Sequence, residues 1–220
     1  MVSCVQTLNY KIGVKVLDIT DATKFTNIFE YNIFLYAIGF MFLSEFIIWI
    51  FTASGNKKDR KKSDKGSIWL IILAYWLSIY VSYYLTSAEA KKFIGNLILP
   101  HTFYYLGILL IIVGTIIRDY SVWTLKKAFT LSVQTTSDQH LIQKGFYRYV
   151  RNPAYTGSIL SLLGIAFSLR NTFAPIIVLI ICILCYGIRI KIEEKALKEQ
   201  FKQEFENYYK NTYCLFPFIW

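Results

Sequence analysis

The sequence predicts an all-α integral membrane protein of about five transmembrane helices, the last two a helical hairpin, with a cytosolic amphipathic helix at the C-terminus. Two observations carry this. Hydrophobic residues make up 55% of the 220 and charged residues only 17%, too little polar surface for a water-soluble domain of this size. The apolar residues also gather into runs instead of spreading along the chain. Ile33 to Phe51, Ser67 to Leu85 and His101 to Ile117 are each about long enough to cross a hydrocarbon layer of roughly 30 Å at about 1.5 Å per helical residue. Tyr155 to Leu169 and Phe173 to Ile188 follow, separated only by Arg170, Asn171 and Thr172, so a tight helical hairpin is expected there.

The chain divides accordingly. Residues 1–28 form an N-terminal interfacial or external segment, with partial strand-like alternation from Tyr10 to Thr20. Residues 29–117 form a three-helix membrane region containing a basic linker at 52–66. Residues 118–220 form the third region, with a helical hairpin at 153–190 and the C-terminal helix. The first apolar run is too long for a signal-peptide core and is expected to be retained.

A net charge of +10 raises the question of nucleic acid, but the charge is distributed between hydrophobic spans and not along one soluble face, which excludes that class of partner. Its placement sets topology instead. Eighteen Lys and Arg fall in the linker, in 118–154 and after Ile188, against six in the alternate segments. The positive-inside rule then puts the N-terminus outside and the basic loops and C-terminus in the cytosol. The membrane would be the inner cell membrane in a prokaryote or the endoplasmic reticulum in a eukaryote. The lysines from Lys57 to Lys65 read first as a topology signal in contact with anionic membrane lipids. Cys182 and Cys185 lie within an apolar helix without a second ligand pair, so packing is expected there and no metal. Glu45, inside the first span, is expected to pair with a basic residue. The sequence carries no signal of oligomeric state.

Chemistry concentrates in Leu141 to Gly157, LIQKGFYRYVRNPAYTG. Lys144-Gly145 marks a turn. Asn152-Pro153 marks a helix start, Asn being a favoured N-cap and Pro suiting the first helical position. The N–H groups of Ala154 and Tyr155, with Arg148, Arg151 and the helix dipole, would favour a carboxylate or phosphate. Tyr147, Tyr149 and Tyr155 offer aromatic faces for a flat base or a sulfonium. Gly157 admits either a ligand or a neighbouring helix, and Gly157, Ser161, Gly164 and Ser168 form a stripe suited to helix packing. Arg189 and Glu193 sit four apart on one helical face, which suits an ion pair or, at a membrane boundary, a hold on a polar ligand. Beyond them Leu197, Phe201, Phe205 and Tyr208 recur at helical spacing.

These elements, in this order and spacing, resemble the isoprenylcysteine carboxyl methyltransferases and their phospholipid N-methyltransferase relatives. The resemblance rests on Leu141-Ile142, Gly145, Tyr147, Arg151-Asn152-Pro153, Tyr155, Gly157, Arg189, Glu193-Glu194, Phe201, Tyr208-Tyr209 and Phe216-Pro217-Phe218. Two positions depart from the family pattern: Asn152 stands where His is frequent, and Gln139, followed by His140, stands where a His often precedes the Leu pair. The resemblance implies S-adenosyl-L-methionine surrounded by Leu141, Gly145, Tyr147, Asn152, Pro153, Tyr155, Glu193 and Glu194. It further implies Arg151, Arg189 and Glu193 as catalytic residues beside the reacting groups. The implied acceptor is a lipophilic molecule entering from the bilayer, first of all the carboxylate of a prenylcysteine-like substrate. A phospholipid or a small thiol is the alternative within the family. An NADPH-dependent sterol-type reductase shares part of the Arg-x-Pro-x-Tyr-x-Gly run but lacks the Arg-x-x-x-Glu-Glu element, and a non-enzymatic membrane scaffold would use the polar clusters only as anchors. No Gly-x-Gly occurs among the eleven glycines, so a cofactor pocket must come from helix ends and interfacial loops.

Overall fold

In the computed structural model, which describes residues 25–53, 61–62, 67–94, 97–125, 134–135 and 141–217, each apolar run becomes a helix. These are α1 (Ile28–Ala53), α2 (Ile68–Tyr84), α4 (Thr102–Leu125), α5 (Pro153–Ser168) and α6 (Ala174–Phe201), with short helices α3 (Ala88–Ile94) and α7 (Gln203–Lys210) and a 3-10 turn at Gly145–Arg148. Two-residue strands β1 (Lys61–Lys62) and β2 (Gln134–Thr135) pair antiparallel. Tyr10 to Thr20, most of the basic linker, Gln139, His140 and Phe218 lie outside the described residues.

Three helices, α1, α4 and α6, are long and apolar enough to cross a membrane, and α2 and α5 are shorter apolar helices of 17 and 16 residues. Their outward faces carry Tyr36, Trp49, Trp69, Trp76, Leu109 and Leu184, all exposed, a surface that a hydrocarbon layer covers. Phe34, Ile111, Ile159, Leu162, Ile165 and Val178 fill the interior.

The two ends of the bundle are distinct. At one end Leu99 N–H donates to the Arg170 carbonyl at 2.7 Å, and Tyr104 Oη donates to the Glu30 carbonyl at 2.7 Å. The hairpin turn is capped there by Asn171, whose Oδ1 accepts from Phe173 and Ala174 N–H while its Nδ2 donates to the Leu85 carbonyl. At the other end the β1–β2 pair joins Lys61–Lys62 of the linker to Gln134–Thr135 beyond α4.

α5 packs most closely on α4, antiparallel, through the small-residue stripe. A Cβ on Gly107 would fall 2.6 Å from the Gly164 carbonyl oxygen, and one on Gly114 would fall 2.6 Å from that of Gly157. The helices therefore touch backbone to backbone, the geometry small residues provide between membrane helices. Gly157 thus admits a helix and not a ligand.

Two further expectations change. The third apolar run does not end near Ile117: α4 continues through Arg118 and Asp119 to Leu125. Arg118, counted above as a loop charge, is buried and donates to Glu45 through Nε and Nη2, which gives Glu45 its basic partner. Asp119 is likewise satisfied, by the Ser44 hydroxyl. The separate C-terminal amphipathic helix is also redrawn. Residues up to Phe201 continue α6, and the chain breaks only at Lys202, at φ 45°, before α7.

Candidate functional site

The site lies at the basic end, where the start of α5 meets the last turns of α6. Residues 149–152 run parallel to 213–214: Tyr213 N–H donates to the Tyr149 carbonyl at 2.9 Å, Arg151 N–H to Tyr213 at 2.8 Å and Asn152 N–H to Cys214 at 3.2 Å. The C-terminal segment thereby straps across the start of α5. Thr156 Oγ1 donates to the Leu215 carbonyl at 2.7 Å and Tyr208 Oη to the Tyr147 carbonyl at 2.7 Å, holding α7 and the strap to the 3-10 turn.

This strap changes what Asn152 does. It occupies the N-cap position, but its side chain makes no cap; Nδ2 donates to the Cys214 carbonyl at 3.2 Å. The expected open N–H of Tyr155 is also taken, since the Asn152 carbonyl accepts from both Tyr155 and Thr156 at 3.1 Å. The first turn is thereby tightened, and the Tyr155 and Thr156 N–H groups are engaged by the chain itself. Arg148 is exposed. It lies 5.8 Å from the Tyr149 ring and lines a cleft of about 810 Å³ with Gln143, Tyr149, Glu204, Asn207, Asn211 and neighbouring groups of the strap.

The remaining predicted residues form two linked groups. In the first, Arg151 Nε donates to Glu194 Oε1 at 2.8 Å, Nη1 donates to the carbonyls of Tyr209 (3.1 Å) and Thr212, and the guanidinium stacks 4.0 Å from the Tyr209 ring. In the second, Arg189, fully buried, donates through Nε to Glu193 Oε1 at 3.0 Å and to Tyr155 Oη at 3.2 Å, through Nη2 to Glu193 at 2.9 Å, and through Nη1 to Ser67 Oγ. Tyr155 Oη completes the triangle by donating to Glu193 Oε1 at 2.8 Å. Tyr147 is buried beside these groups, and burial, with the Glu193 charge second, raises its hydroxyl pKa. Burial likewise raises the Tyr208 hydroxyl against the opposing field of Arg151, and it raises the Cys214 thiol, with Glu194 adding to the effect. Pro153 is the buried first residue of α5, and Leu141 is half-buried in the irregular chain leading to the 3-10 turn.

Gly145 adopts φ 58°, and a Cβ there would lie 2.9 Å from Tyr120 Cε1. Its part is to set the turn that carries Tyr147. Gly145→Ala is expected to destabilise the protein by about 1–2 kcal/mol, read by thermal unfolding in detergent, because Ala strains at positive φ.

Sequence reasoning missed Ser67, Thr212 and Cys214 as parts of this arrangement. Ser67 lies 122 positions from Arg189, and Thr212 and Cys214 lie 61 and 62 from Arg151 and Asn152. No local pattern reports contacts at such separations.

Comparison with known proteins converges on the same stretch. The phospholipid methyltransferase family model matches residues 102–204, which run from the start of α4 to the start of α7. A probable protein-S-isoprenylcysteine O-methyltransferase of Oryza sativa subsp. indica is 32% identical over 117 residues, 52% of this chain and 61% of its own length. The protein-S-isoprenylcysteine O-methyltransferase of Saccharomyces cerevisiae is 32% identical over 116 residues, 52% of this chain and 48% of its own. The chain thus spans between about half and three fifths of the length of these relatives. Among solved structures, a eukaryotic intramembrane Ras methyltransferase, isoprenylcysteine carboxyl methyltransferase, superposes with a TM-score of 0.52 at 25% identity, covering 68% of this chain and 51% of that one. The stretch from α4 to the start of α7, which carries the paired Arg–Glu groups at the basic end, is therefore the part of the chain that is similar to the phospholipid methyltransferase family model and to protein-S-isoprenylcysteine O-methyltransferases.

Proposed function

We propose that the protein is a membrane methyltransferase that moves a methyl group from S-adenosyl-L-methionine to a lipophilic acceptor, first of all the carboxylate of a prenylcysteine-like substrate. The observation that carries this is the meeting of Arg151-Asn152-Pro153 with Arg189-x-x-x-Glu193-Glu194, through Arg151–Glu194 at 2.8 Å and Tyr155–Glu193 at 2.8 Å. The names of the relatives support the reaction class.

The residues fit such a cofactor. Glu194 gives Arg151 its Oε1 and can accept from a hydroxyl or ammonium through Oε2, and it is partly exposed, as is Glu193. Tyr147 and Tyr155 supply aromatic walls, and Leu141, Gly145, Asn152 and Pro153 shape the turn and helix start around them. Bound S-adenosylmethionine would supply an electrophilic methyl on a sulfonium. The protein's work is then to align and to exclude water, because a carboxylate acceptor is already ionised at neutral pH and needs no general base. A thiol or amine acceptor would instead need a proton removed, and Glu193 is the group placed for it. We assign Arg189 and Glu193 to the reacting centre. Arg151, committed to Glu194, Tyr209 and Thr212, is assigned to positioning. Catalysis is assigned to residues 118–220, on the cytosolic side that the basic loops indicate, in the inner membrane of a prokaryote or the endoplasmic reticulum of a eukaryote.

The test is heat protection of the detergent-solubilised protein. S-adenosylmethionine or its demethylated product at about 100 times its Kd should stabilise by about 2.7 kcal/mol, and NADPH should not. Protection by NADPH alone would favour the reductase reading.

A further inference from the structure

Inside the bundle, each of the five apolar helices contributes one polar side chain to a single cluster. Glu45 comes from α1, Tyr75 from α2, Arg118 from α4, Ser158 from α5 and Tyr186 from α6. Arg118 binds them together: Nε and Nη2 donate to Glu45, Nη1 donates to Ser158 Oγ at 3.1 Å, and both tyrosines lie within reach of its charge. The cluster sits immediately beneath the reacting centre, since Tyr186 precedes Arg189 by one helical turn and its ring lies 5.2 Å from that of Tyr155.

The two tyrosine hydroxyls stand out chemically. Both are buried, and among the described residues neither closes a hydrogen bond of good geometry; that of Tyr186, in a residue only 1% exposed, reaches only toward Ser158. A buried hydroxyl without a partner costs on the order of 1–3 kcal/mol, and phenylalanine would fill the same space without that cost. Two such groups beside one neutralised Arg–Glu pair present O–H donors inside the bundle. That is what an oxygen-bearing head on a hydrocarbon tail requires.

We propose that Tyr75 and Tyr186 form the head-group site for the methyl acceptor, donating to its carboxyl oxygens while the Glu45–Arg118 pair forms the fixed wall behind them. This inference rests on the methyl-transfer reading above and adds two residues to it, one of them outside the stretch that the family model matches.

The test uses the full chain in detergent, with Tyr75→Phe, Tyr186→Phe and the double variant, and N-acetyl-S-farnesylcysteine as the probe. For the double variant, KM for the probe is expected to rise at least about tenfold. The Kd for S-adenosylmethionine should stay within about twofold, and the Tm should be equal or higher, as expected when unpaired hydroxyls are removed. An unchanged KM with a raised Tm would overturn the proposal, the hydroxyls then meeting only water. If the double variant fails to accumulate, each single variant is expected to raise KM about threefold, and no rise in either overturns the site. If the wild-type protein binds S-adenosylmethionine but neither binds nor methylates the probe, the prenylcysteine reading fails and this inference with it. If the wild-type protein does not bind S-adenosylmethionine, methyl transfer itself fails. Heat protection by the probe then decides the site: protection lost in the double variant supports it, and protection retained overturns it.

Discussion

Arg189→Met is expected to lower thermal stability by about 3 kcal/mol and to abolish methyl transfer. The guanidinium it removes is fully buried and serves Glu193, Tyr155 and Ser67 at once. Breaking one side of a buried ion pair costs about 3–5 kcal/mol, chiefly because the surviving charge is stranded. The lower figure applies because the Glu193 side chain keeps 24% of its surface exposed. The diagnostic is the second substitution. Arg189→Met with Glu193→Gln removes the stranded carboxylate, so most of the stability should return while activity stays lost. Unfolding in detergent alongside transfer of labelled methyl separates the two effects. A double variant no more stable than Arg189→Met would show that the pair is not what the single change breaks.

Gly157→Val should have the next largest effect, about 3 kcal/mol of destabilisation with loss of activity, although the substitution places no new group among the site residues. A Cβ at Gly157 would lie 2.6 Å from the Arg118 backbone nitrogen, and one at the facing Gly114 would lie 2.6 Å from the Gly157 carbonyl. Backbone cannot move aside as a side-chain tip can, so α4 and α5 must separate. Overpacking of this kind costs about 1–3 kcal/mol, and valine stands at the upper end. Separation would also pull Arg118 away from Ser158, which it reaches at 3.1 Å. Gly39→Ala, in α1, is the matched control: nothing lies within 4 Å of its Cβ position, and the exchange should be neutral or slightly stabilising. Equal losses at Gly39 and Gly157 would sink the close-packing explanation.

What could be read ahead of the structure was what is local. The five apolar runs became five helices because a helix in a bilayer satisfies its own backbone, so length and hydropathy suffice to place it. The Asn152-Pro153 helix start and the Arg189–Glu193 spacing are likewise properties of a few adjacent residues. Arg118 shows where local reading stops. Hydropathy ends a run at the first charge, whereas the helix continues because Glu45, 73 positions earlier, neutralises it. Asn152 fits an N-cap by residue type, yet the strap offers its side chain a carbonyl that no neighbouring sequence announces. The break at Lys202 was equally hidden. It has neither Gly nor Pro to mark it, and its positive φ follows from where Phe205 and Tyr208 must be buried.

The strap also dictates the order of biogenesis. Ser67 is inserted early, yet its arginine partner is made 122 residues later, and the Asn152 anchor must wait for Cys214. With translation at about 5–20 residues per second, every helix in the bundle has left the ribosome before the pocket can close. The strap can therefore settle over the start of α5 only after residues 213–215 have been made, behind the helices it fastens.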